Sequence, residues 1–150
     1  MAVEKDSSAR EVLEVIPMAM RFIRAQMRKY GAVDLSVPQF RSLLFLRRHA
    51  GSSLGGVAED LGMTPPSASK LIDCLERRNL VERKASSLDR RMVTIGMTPK
   101  GNELLDQAIE GTQKSISETL AALTPREISA VGLAMSALKR VLSLAKHDPI

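Results

Sequence analysis

The chain has 150 residues, 44% of them hydrophobic and 26% charged, with a net charge of +5 and one cysteine. That suits one globular domain with a real core and leaves no partner for an internal disulfide, as expected of a cytoplasmic protein. No run approaches the roughly 18 apolar residues of a membrane span, and the polar, charged stretch Met1–Arg10 does not read as a secretory leader.

Three Phe, one Tyr and no Trp leave the core to aliphatic side chains and Met. Val12, Ile16, Ala19, Ile23, Met27 and Tyr30 recur every three or four residues, which predicts a first helix with one apolar face. Pro17 lies inside that pattern and lacks a backbone donor, so a kink or break is expected near Val15 and Ile16. Gly31–Leu35 reads as a connector. Ser36 then caps a second helix, with Gln39 completing a capping box. Phe40, Leu43, Leu44 and Leu46 line that helix, which should end near Ala50–Gly51. Ser53 opens a short third helix, Leu54–Leu61, which Gly62 terminates in the left-handed conformation. The doublet Gly55–Gly56 lacks the Lys-Ser/Thr of a phosphate loop, so a nucleotide site is not expected.

Thr64 caps a fourth helix, with Pro65 in the first helical position. It should run to about Asn79, with Ala68, Leu71 and Leu75 turned inward. The period then falls to two. Val93, Ile95 and Met97 alternate with Thr94, Gly96 and Thr98, which predicts a half-buried strand. Val81–Lys84 is its expected partner, and Ala85–Arg90 the polar loop of a hairpin. Thr98–Pro99 begins a fifth helix that nothing stops before Leu123, about 37 Å at 1.5 Å per residue. Thr124, Pro125 and Glu127 then mark the start of a sixth helix, with Leu123 placed to staple onto Ile128. Ile128, Val131, Met135, Leu138, Leu142 and Ala145 follow at coiled-coil spacing. Dimerisation would explain that seam, and so would packing on the chain's own fifth helix.

The charge is concentrated. Between Gly62 and Gly101 stand eight basic residues, Lys70, Arg77, Arg78, Arg83, Lys84, Arg90, Arg91 and Lys100, against four acids. A solvated positive face would account for this, and so would a nucleic-acid surface. The order of elements favours the second. Helix, tight glycine turn, capped helix and basic hairpin make a winged helix-turn-helix, whose second helix fits the DNA major groove. The inward stripe leaves Thr64, Pro66, Ser67, Ser69, Lys70 and Arg77 available to double-stranded DNA, and the hairpin adds Lys84, Arg90 and Arg91.

The segment Leu35–Phe40 with Leu43 and Leu46, the run Leu61–Thr64 continuing to Leu71, Leu75 and Leu80–Arg83, and Asp89-Arg90-Arg91 followed by Ile95, Met97-Thr98 and Gly101 together resemble the MarR family (multiple antibiotic resistance regulators). The resemblance implies a mainly α fold with a small β-hairpin wing. It also implies a winged helix-turn-helix lobe at about 36–98, with long dimerisation helices at about 8–33 and 99–147. It makes Pro66, Ser67 and Lys70 recognition-helix contacts. Arg91 becomes the wing-tip arginine entering the minor groove, Arg90 a phosphate neighbour and Asp89 the acid that orients the wing. Cys74 stands where the family often has a basic residue, and Asn79 where it has glycine, a mild departure because asparagine tolerates the left-handed conformation. The function implied is a homodimeric DNA-binding regulator, a repressor on a pseudo-palindromic operator. An aromatic or phenolic effector would bind near Met18, Phe22 and Phe45.

Other readings attach to the same residues. A winged-helix module that binds protein would not need a basic helix together with a basic wing. An enzyme would need a nucleophile-base pair, paired carboxylates or metal-ligand spacing, and none stands out. His49 and His147 are far apart and suggest no metal site, Cys74 serves as a small flank of the packed stripe, and no cofactor is called for.

Overall fold

A computed structural model of the chain describes residues 2–31 and 34–145. These form six helices and one antiparallel hairpin: α1 (Ala2–Lys29), α2 (Val37–Arg48), α3 (Leu54–Leu61), α4 (Pro65–Arg77), β1 (Val81–Ala85), β2 (Val93–Met97), α5 (Pro99–Leu120) and α6 (Pro125–Ala145). The chain makes two compact units, residues 1–112 and 113–150. His147 and the middle of the expected connector lie outside the described residues.

Local signals set most boundaries. Ser36 Oγ accepts from the Gln39 amide and the Gln39 side chain accepts from the Ser36 amide, so the capping box closes. Ser53 and Thr64 cap α3 and α4 through their side-chain oxygens. Gly62 ends α3 at φ 64° and Asn79 follows α4 at φ 57°, both left-handed. Thr124 and Glu127 bond reciprocally at the start of α6. The Thr124 amide, and then its hydroxyl, hold the Glu127 carboxyl below its ordinary pKa.

Two expectations need correcting. Of the kink or break expected near Val15 and Ile16, the break is absent: α1 is one helix from Ala2 through Pro17. A proline removes only its own donor and crowds one carbonyl, and the turns on either side carry the helix across. On α4 the buried stripe is Ala68, Ile72 and Leu75, with Leu71 only half-buried. At 100° per residue the first three lie within an arc of about 60°, and Leu71 falls outside it. Nothing in the structure demands the doublet Gly55–Gly56, where an added Cβ would meet only ordinary contacts.

The core of the first unit gathers Leu35, Leu43, Leu46, Val57, Ile72, Leu75, Leu80, Val81, Ile95 and Leu105. Each such aliphatic, fully buried, contributes about 1.5–3 kcal/mol. The hairpin pairs Val81 with Met97, Arg83 with Ile95 and Ala85 with Val93. Ile95 is buried and Met97 half-buried, while Val93 near the tip stays exposed. One partner lies outside the predicted pattern. The Ile95 amide donates to the Ser52 carbonyl at 2.8 Å, so the residue before α3's cap adds a single bridge to the wing. At the other end Thr98 Oγ1 donates to the Asn79 carbonyl (2.6 Å) and accepts the Gly101 amide (3.0 Å). Gly101 is there because a Cβ would sit 2.1 Å from the Leu80 carbonyl oxygen. The threonine, two residues, glycine pattern is thus a clasp joining β2, α5 and the end of α4.

Candidate nucleic-acid interface

The exposed end of α4 is built by its cap. Thr64 Oγ1 donates to Ser67 Oγ (2.9 Å) and accepts the Ser67 amide (3.4 Å). Pro65 and Pro66 occupy the first turn, where a missing N–H costs nothing. Thr64, Pro66, Ser67, Lys70 and Arg77 are exposed, and Ser69 is half-buried beside Ala68. The N-terminal half of α4 therefore offers small side chains and one long cation, with the positive end of the helix dipole behind them.

The eight basic residues divide into two sets. Arg78 donates to the Asp34 carbonyl (2.9 Å), and Lys100 donates to the Arg78 carbonyl (3.2 Å). Lys84 pairs with Glu82 on the same strand at 2.7 Å, so this candidate is partly engaged already. Arg83 makes the strongest tie. Its guanidinium bonds Asp73 at 2.6 Å and also Glu76, and its amide donates to Glu76. Asp73, and after it Glu76, raise its pKa above the ordinary value. Lys70, Arg77, Arg90 and Arg91 have no acid partner among the described residues. Four cations are bonded to other groups of the fold, and four have no acid partner among the described residues.

Sequence reasoning misses Arg83 as a site residue. It joins β1 to the last turns of α4, and it neutralises the two acids that α4 carries beside its basic face. Asp73 and Glu76 are three apart and share a helix face, which is the available signal. The strand that must meet them is ten residues further along the chain, and that pairing is not visible in spacing.

Past Arg83 the strand extends the wing by roughly 7 Å, at 3.4 Å per residue, before the loop begins. The loop is closed by its own polar groups. Asp89 Oδ1 accepts the Arg91 amide (2.9 Å), the Met92 amide donates to the Asp89 carbonyl (3.0 Å), and the Ser86 amide donates to the Met92 carbonyl (2.7 Å). Asp89 is thereby committed to the turn, and Arg90 and Arg91 project from a defined backbone.

Cys74 is half-buried on the side of α4 that meets α2, where Gln39 Nε2 donates to its Sγ at 3.1 Å. His49 stacks on Phe45, with ring centroids 4.6 Å apart. Among the described residues no three His, Cys, Asp or Glu side chains come together as a metal site, and no helix is long and apolar enough to cross a membrane.

A groove of about 690 Å³ lies between α1 and α2. Met20, Ile23, Met27, Leu35, Phe40 and Leu44 give it an apolar floor, and Arg21, Arg24, Arg28 and Arg41 stand around it. Met18, Phe22 and Phe45, the side chains expected to surround an effector, do not line it. Met18 and Phe22 fall on the opposite side of α1 from Met20, Ile23 and Met27, at 100° per residue. Phe45 packs against the lobe's core and His49.

Residues 33–92 match the profile described as MarR family. The uncharacterized HTH-type transcriptional regulator YfiV of Bacillus subtilis is 30% identical over 116 residues, covering 77% of this chain and 72% of that protein. The chain belongs to the MarR family. It is accordingly a DNA-binding transcription regulator and not an enzyme. The MarR fold extends over nearly the whole chain. RV1404 from Mycobacterium tuberculosis superposes with a TM-score of 0.81 at 21% identity, covering 97% of this chain and 95% of that one. A mutant of Staphylococcus aureus MepR, bound to an oligodeoxyribonucleotide, gives a TM-score of 0.65 at 22% identity, covering 85% of this chain and 94% of that one.

Proposed function

We propose that this MarR protein is a repressor that binds a pseudo-palindromic operator as a homodimer in the cytoplasm. The observation that carries the reading is the division of the basic residues. Lys70 and Arg77 on α4, and Arg90 and Arg91 on the wing, are unpaired, while Arg83 ties the two elements together. In this reading Thr64, Pro66, Ser67, Ser69 and Lys70 enter the major groove, where a lysine reaches guanine O6 or N7. Arg91 enters the minor groove, Arg90 and Lys84 lie along phosphates, and Asp89 holds the tip. The lobe at 36–98 reads DNA, and the flanking segments at 8–33 and 99–147, which carry α1, α5 and α6, join two copies. A dimer lying across a promoter excludes other proteins from it, which is repression.

An effector, in the same reading, takes the groove between α1 and α2. Its apolar floor and four guanidinium groups suit a small aromatic carboxylate. The test is fluorescence anisotropy on duplexes selected from a random pool by the full chain, repeated with benzoate-type acids. Selection of a two-fold symmetric sequence, bound tightly and released by an aromatic acid, is the expected result. Failure to retain any duplex at low salt would overturn the DNA-binding assignment, and insensitivity to every acid would overturn the effector.

A further inference from the structure

The wing tip carries a residue that charge does not explain. Leu88 is 97% exposed, beyond any other large hydrophobic side chain among the described residues. It is held there. The Leu88 amide donates to Ser86 Oγ at 3.2 Å, and the loop around it is closed by the Asp89, Ser86 and Met92 bonds described above. Met92 and Val93 are also exposed beside it. A tip built only to meet phosphates would have no use for three apolar side chains in water.

What surrounds Leu88 narrows its partner. Arg90 and Arg91 follow it unpaired, and Asp89, the one acid of the loop, is turned to its own backbone. The complementary surface must be negative and must also offer apolar ground. The minor groove does both, about 6 Å wide, with acceptors along its floor, sugar faces for walls and phosphates at its rim. Apolar side chains of minor-groove proteins use that space.

We infer that Leu88 is an apolar contact of the wing inside the DNA minor groove, supplying affinity that does not depend on counterion release. This rests on the reading that the wing meets DNA. An arginine that displaces counterions changes the slope of log K against log salt. A leucine against sugars changes log K by the same amount at every salt concentration.

The experiment compares wild type, Leu88→Ala, Leu88→Met and Arg91→Ala on one duplex selected by wild type, by anisotropy across a salt series. Leu88→Ala should weaken binding by about tenfold throughout, the scale of partly burying one leucine, with an unchanged slope. Leu88→Met should restore most of that loss, and Arg91→Ala should lower the slope. Melting temperature and mass by light scattering should not change in Leu88→Ala, because the side chain touches little of its own fold. If wild type selects no duplex, the underlying DNA reading falls. If wild type selects one and Leu88→Ala matches it, the leucine contact alone is overturned. A changed slope in Leu88→Ala overturns the apolar nature of the contact. A changed mass assigns Leu88 to association between copies and overturns the contact with DNA.

Discussion

Lys70 and Arg91 are both exposed and unpaired, yet their neighbourhoods predict different failures. Lys70 lies one turn into α4 among small side chains, where a donor can reach a base edge. Lys70→Ala should cost about 1–3 kcal/mol on the selected operator and relax preference at one base pair of each half-site. Arg91 stands on a turn fixed by Asp89, with a backbone amide already bonded at 2.9 Å. Arg91→Ala should weaken binding, lower the salt slope and flatten any A·T preference at the flanks, where a narrow minor groove attracts arginine. Selection of bases by each mutant, with a salt series, checks both. Equal binding by Arg91→Ala and wild type would remove the wing from the interface. Individual residues with local jobs were legible in the sequence: Ser36, Ser53, Thr64, Gly62 and Asn79 each sit within a few residues of what they bond or terminate. The clasp at Thr98 was visible only as a motif, since its reason, the approach of Gly101 to Leu80, depends on how α5 leaves the hairpin.

Between elements the deciding group is Arg83. Two carboxylates from α4 grip its guanidinium and one of them also takes its amide. The wing is thus set against the recognition helix before any DNA arrives, which reduces the ordering required on binding. Partly exposed ion pairs contribute modestly, about 0.2–1 kcal/mol each, so Arg83→Met should fold and melt only a few degrees lower. Its larger effect should fall on coupling. In wild type, a double-mutant cycle between Lys70→Ala and Arg91→Ala should give a non-zero interaction term, because one rigid body presents both side chains. In an Arg83→Met background that term should shrink toward zero, and Arg83→Lys should restore it only in part, a lysine being unable to span both acids. A cycle unchanged by Arg83→Met would show that the wing finds its place without the strut. Long-range pairings of this kind explain why element boundaries could be read while contacts could not. The apolar periods of α1 and α4 were legible, but the choice of Ile72 over Leu71 follows from neighbours, as does the side of α1 that faces α2. Met18 and Phe22 lie away from the groove for that reason.

On the scale of the whole molecule the question is what covers α6. Of the seam read from the sequence, Ile128, Val131, Met135 and Leu142 are exposed, as are Leu133, Val141 and Leu144. At 100° per residue Leu133 and Leu144 lie opposite the first group, with Val141 on the flank between them. A helix apolar on two opposite faces requires neighbours on both, and Leu133 and Leu144, at 74% and 72% exposure, are far from satisfied within one chain. A second copy is the simplest neighbour for at least one face, and a dimer is also what a symmetric operator needs, with half-sites about one helical turn apart. Light scattering during size exclusion should give twice the chain mass at micromolar concentration. Leu133→Glu and Leu142→Glu probe the two faces separately. A substitution on a face buried between copies should return the mass to one chain and preserve the spectrum of a folded protein. It should also reduce operator binding to the affinity and salt slope of a single half-site, because the second recognition helix no longer binds at the effective concentration set by the first. If wild type is a monomer, or if neither substitution changes its mass, α6 is not a joint between copies and the pseudo-palindromic operator loses its physical basis.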